Sequence, residues 1–97
     1  MPGGIIMEQK ILEKNGRRFV ATSDGDRTVF IGTVGFFSNV AAQMLCHEAM
    51  EPLHWKTTGT FANLALDGSI CTAVGYKIPL TKRFLYDNPL DYLETVF

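Results

Sequence analysis

The sequence predicts an α+β fold. An antiparallel sheet, built from a three-stranded meander and a β-hairpin, is packed by one central helix and followed by a short C-terminal helix, in the order βββαββα. Three observations predict it. The dipeptides Asn15-Gly16, Asp24-Gly25 and Asp67-Gly68 each divide two strand-like runs, and such pairs supply the positive φ that tight hairpins need. A helix-forming stretch, headed by Ser38 and stopped by Pro52, separates the first three runs from the last two. The chain has 97 residues, 46% hydrophobic and 20% charged, the profile of one globular domain over residues 1–97.

Residues 5–14 read as a strand because their apolar positions scatter around a helical wheel. If Asn15-Gly16 and Asp24-Gly25 are both two-residue loops, Leu12 faces Phe19, Phe19 faces Phe30, and Ile11, Val20 and Val29 line up on the reverse side. Glu13 then faces Arg18 with opposite charge. The third run, Arg27 to Phe37, is apolar on both faces: Phe30, Val34 and Phe36 go one way, Val29, Ile31 and Phe37 the other. Such a strand must be covered above and below.

Ser38 is placed to cap a helix running from Asn39 to about Glu51. Ala41, Ala42, Leu45, Cys46, Ala49 and Met50 share its broad apolar face, yet Val40 and Met44 fall among the polar residues opposite. Leu53–Leu66 and Ser69–Ile78 form the hairpin, with Gly59 a candidate bulge or the partner of Tyr76, and with Phe61 opposite Val74. Asn88 and Pro89 have the chemistry of an N-cap and first helical residue for the C-terminal helix. The uncovered face of the sheet is expected to be closed by that helix, by curvature, or by a symmetry mate.

Composition excludes little but directs attention. The net charge of −1 gives no global attraction to nucleic acid or an anionic membrane. No apolar run reaches bilayer-spanning length, no secretory leader opens the sequence, and two cysteines are too few for a disulfide framework. A cytoplasmic protein without a membrane or cofactor is expected.

The reactive side chains Cys46, His47, Glu48, Glu51 and His54 cluster in sequence. His47 and His54 are seven apart with Pro52 between them, which is not the four-residue spacing of a zinc helix, so no metal site is expected. His47 and Glu51 have that spacing and are candidate catalytic residues, with His54 or Cys71 nearby, for a small enzyme. A basic tip, Lys14, Arg17 and Arg18, is the candidate for nucleic-acid binding, although no stacking aromatics accompany it. The reading favoured is a non-catalytic binding module. It acts through an apolar pocket for a small ligand or through a protein–protein interface, a homodimer above all. Its candidate residues are Val40, Met44, His47, Trp55, Tyr76 and Phe97.

Overall fold

Both central residues of the first turn take positive φ, 54° at Asn15 and 75° at Gly16, as a two-residue type I′ hairpin requires. The computed structural model describes residues 8–23, 28–35, 38–66, 68–79 and 89–97. Strands β1 (Gln9–Lys14) and β2 (Arg17–Ser23) pair in the expected register, with Leu12 opposite Phe19, Ile11 opposite Val20 and Glu13 opposite Arg18.

Strand β3 (Thr28–Thr33) departs from expectation. Phe19 faces Thr33, not Phe30, and Val20 faces Gly32, not Val29. The slip of three residues is odd, so every β3 side chain changes face. Val29 and Ile31 thereby join Phe19 and Ala21, and Phe30 joins Val20. Because both faces of this strand are apolar, alternation could not fix its register. The Asp24-Gly25 turn, Arg27, Phe36 and Phe37 lie outside the described residues.

The helix α1 (Asn39–Met50) opens as expected: the Ser38 hydroxyl accepts the Ala41 amide at 3.2 Å. Pro52 is drawn into a 3-10 turn, Glu51–Leu53, which delays strand β4 to Lys56–Leu66. Gly68 turns at φ 81° into β5 (Ser69–Lys77), while Asp67 and Asn88 lie outside the described residues. Phe61 faces Val74 as expected, but Thr57, not Gly59, faces Tyr76, because β4 bulges between Thr57 and Phe61. Gly59, the candidate for the bulge, lies within it at φ 78°, and Gly75 leaves room for it: Thr58, Thr60 and the Phe30 ring fill the space beside Gly75 where a Cβ would otherwise sit. The last helix, α2, spans Pro89–Val96. The sheet is antiparallel throughout, in the order β1-β2-β3-β5-β4, and the element order is βββαββα.

Both helices pack on the same sheet face. Cys46, Ala49 and Met50 of α1 and Leu90 and Leu93 of α2 share one buried cluster with Leu12, Phe19, Val29, Ile31, Val74 and Tyr76. The C-terminal helix therefore does not close the opposite face. There Val20, Leu64, Cys71 and Ala73 are buried together, and the two sheet edges approach, since the Gln9 side chain of β1 donates to the Ala65 carbonyl of β4 at 3.3 Å. Among the described residues, curvature is what brings this face together. Gly32, Gly75, Ala62 and Ala73 belong to it by register, and side chains that small let the sheet bend inward.

Candidate functional site

A helix is about 10 Å across and neighbouring strands are about 4.8 Å apart, so one helix shelters roughly two strands. Helix α1 lies against β3 and β5, and α2 against β2, with Lys10 of β1 reaching Asp91 and Glu94 of α2 at 2.9 and 3.4 Å. Two helices thus cover four strands, and among the described residues no helix covers β4 on that side.

The placement of α1 over β5 follows from two side-chain bonds. Near its start, Asn39 Oδ1 accepts from the Thr72 hydroxyl at 2.7 Å; near its end, His47 Nδ1 meets the Tyr76 hydroxyl at 2.7 Å. The helix therefore runs along β5 from Thr72 to Tyr76. His47 and Val40 lie two turns apart on one stripe, the flank turned toward β4, with Met44 above them. Leu45 and Glu48, on the other flank, border the β1–β2 turn instead. Opposite Thr72 and Val74 stand Asn63 and Phe61 of β4.

A shelf results, with α1 on one side and β4 on the other. Val40, Met44, Phe61 and Ile70 are 68%, 65%, 55% and 73% exposed. Ile11, the other exposed large hydrophobic among the described residues, is on the opposite face. Exposed apolar groups scattered singly are ordinary, but contiguous ones mark contact surfaces.

The other candidate residues are placed as follows. Tyr76 is buried beneath α1 and its hydroxyl pKa is pushed well up, by burial first and by Cys46 second. Trp55 is buried and stacks on Tyr92 of α2, with ring centres 6.0 Å apart. Phe97 packs edge-on against Phe19, centres 5.3 Å apart, and carries Lys14 Nζ over its ring at 5.2 Å. These three aromatics tie elements together; they do not line the shelf.

The candidate catalytic set does not converge. His47 bonds Tyr76, and no hydrogen bond or ion pair joins it to Glu51 among the described residues. Cys71 belongs to the curled face, across the sheet from α1. Its thiol is raised by burial, and burial, with Cys71 nearby, pushes Cys46 up to about 12, so neither is a ready thiolate. Cys46 donates to the Ile31 carbonyl at 3.2 Å. His54 follows the 3-10 turn in the left-handed region, φ 58°. No group of three His, Cys, Asp or Glu among the described residues could hold a metal.

The basic tip is partly engaged. Lys14 Nζ donates to the Ala49 carbonyl at 2.7 Å, where a cation at a helix C-terminus is favoured. Arg18 stands across from Glu13, and Arg17 borders a hollow of about 120 Å³ against Leu45, Glu48 and Ala49. No helix among the described residues is long and apolar enough to cross a membrane.

No protein-family model, curated protein or solved structure matches the chain. Sequence reasoning placed Val40 and Met44 at the surface but missed Phe61 and Ile70. The signal available was the composition of β4, KTTGTFANLAL, where one charge in eleven residues is unusual for a sheet edge.

Proposed function

We propose that the protein is a non-catalytic binding module whose working surface is β4 with the adjoining flank of α1, and whose partner is a second copy of the same chain. The observation that carries this reading is the bare side of β4, bordered by Val40, Met44, Phe61 and Ile70. A contrast between the two sheet edges supports the choice of partner. β1 carries Lys10, Glu13 and Lys14 in six residues, whereas β4 carries only Lys56 in eleven and no proline. Charge on an edge strand discourages pairing with another chain; β1 has that protection and β4 largely lacks it.

Size is consistent as well. At ordinary side-chain areas the four apolar residues offer roughly 400–500 Å² per chain, about half of the 800 Å² per partner in a stable interface. The rest falls to the backbone and short side chains of β4. An antiparallel β4–β4 contact about a two-fold axis is self-complementary, as such pairing requires. The two free, buried cysteines fit a reducing, cytoplasmic setting.

Hydrogen exchange at two protein concentrations tests the reading. Amides of β4 that do not bond β5 gain protection as concentration rises, while those on the outer edge of β1 do not. Equal exchange of β4 at both concentrations rejects the second copy as partner.

A further inference from the structure

At the far end of the same hairpin, Lys56 and Lys77 stand directly opposite each other across β4 and β5. Like charges in that position are destabilising. Protection of a sheet edge explains Lys56, because β4 is an edge strand, but not Lys77, because β5 lies inside the sheet. Neither ammonium has an ion-pair partner among the described residues.

The two lysines border a hollow of about 280 Å³ whose remaining described lining is His54, Trp55 and Pro79. That volume is just below the range for ligand pockets, about 300–1,000 Å³, and suits a small ligand. Its wall is unusual in charge. Two lysines and a histidine supply donors, and no carboxylate is among its described lining residues. Trp55 and Pro79 supply apolar surface, and the Trp55 ring is held by its stacking on Tyr92 at an interplanar angle of 14°. His54, which lines this hollow, holds φ 58°, a conformation that costs a non-glycine residue roughly 1–2 kcal/mol.

From this juxtaposition we propose that the hollow binds a small organic oxyanion, a carboxylate or phosphate carried on a flat apolar group. The anion sits between the ammonium groups of Lys56 and Lys77, which its charge reconciles, and the apolar part rests against Trp55 and Pro79. The site shares Lys56 with β4 but lies at the end of the hairpin away from Ile70.

Titrating the ¹⁵N-labelled protein with phenyl phosphate, benzoate, inorganic phosphate and benzyl alcohol tests the site and identifies the oxyanion. Phenyl phosphate or benzoate produces saturable shifts at the Trp55 indole and at the Lys56 and Lys77 amides below about 10 mM, at least five-fold tighter than inorganic phosphate or benzyl alcohol. Lys77→Gln weakens that binding at least five-fold without lowering thermal stability, since it removes one of two facing charges. No saturation by phenyl phosphate or benzoate, saturation by inorganic phosphate alone, or equal binding to Lys77→Gln overturns the proposal. Lys77 is on an interior strand, so these results stand whether or not β4 pairs with a second copy.

Discussion

Replacing Val40 and Met44 together by aspartate separates an interface from a core. Val40 is the second residue of α1, whose first turn contains no acid; an aspartate there meets the helix N-terminus favourably, by about 0.3–1 kcal/mol. Met44→Asp loses about half a kcal/mol of helix propensity. Both side chains are about two-thirds exposed, so little packing goes with them, and the net change in the stability of a single chain is under about 1 kcal/mol. In a two-fold dimer the same substitutions bring four carboxylates into one contact and remove roughly 200 Å² of apolar surface per chain. Area converts imperfectly to affinity, yet a loss of at least about 2.7 kcal/mol, a hundred-fold in Kd, is expected. Sedimentation velocity over about 1–300 μM gives the assembly, and urea melts give the stability. Two results refute the reasoning: a wild-type chain that sediments as a monomer throughout, or a double variant that associates as tightly as wild type. A double variant that unfolds would place these side chains in the core.

Three further outcomes follow from the fold. Gly75→Ala puts a methyl group against the Thr58 hydroxyl, with Phe30 Cε1 and Thr60 Oγ1 each 3.0 Å away; a loss of about 1–3 kcal/mol is expected by urea melt, and an unchanged midpoint means the bulge yields freely. Leu93, fully buried, anchors a helix too short to stand alone, so Leu93→Ala costs about 2–5 kcal/mol and shifts Trp55 emission as Tyr92 leaves its ring; unchanged emission and stability would detach α2 from the core. Cys46 ionises near 9.0 in an open chain and at about 12 when folded. The folded state thus holds the proton more tightly, and stability present below pH 9 declines as pH rises toward 12. Unfolding curves show that slope, and it is smaller in Cys46→Ala; identical slopes would remove Cys46 as a cause.

Where local chemistry had one solution, it was legible. Asn15-Gly16 admits little besides a tight hairpin, and the β1–β2 register followed from it. Ser38 had a helix to cap, and it caps α1. The β2–β3 register was not legible, because Val29, Phe30 and Ile31 suit either face and only long-range packing chooses between them. The bulge was half legible: Gly59 was a candidate for it and lies within it at φ 78°, but its displacement from Tyr76 could be read only from the β4–β5 register. The shelf was half legible. Val40 and Met44 fall outside the apolar stripe of α1 on a helical wheel, whereas the exposure of Phe61 depends on which strands the helices reach. The Lys56–Lys77 pair needed the β4–β5 register before the charges could be seen to face each other.

The bare strand follows from the way the two sheet faces are closed. Leu64 of β4 is buried with Val20, Cys71 and Ala73, and Ala62 and Leu66 pack beside it. Without β4 that cluster would be open to water, so the curled face needs the fifth strand. Among the described residues the helix side then has five strands to cover and two helices, each wide enough for about two. Lengthening α1 would not help, since length runs along β5 and not across the sheet. A strand from a second chain, the partner proposed above, has the right shape to shelter β4, because it can bond the edge of β4 while its side chains meet Phe61 and Met44. A hydrophobic residue on that margin is therefore informative in a way that one on β1 is not. Phe61 is 55% exposed, and the association proposed along β4 would bury it.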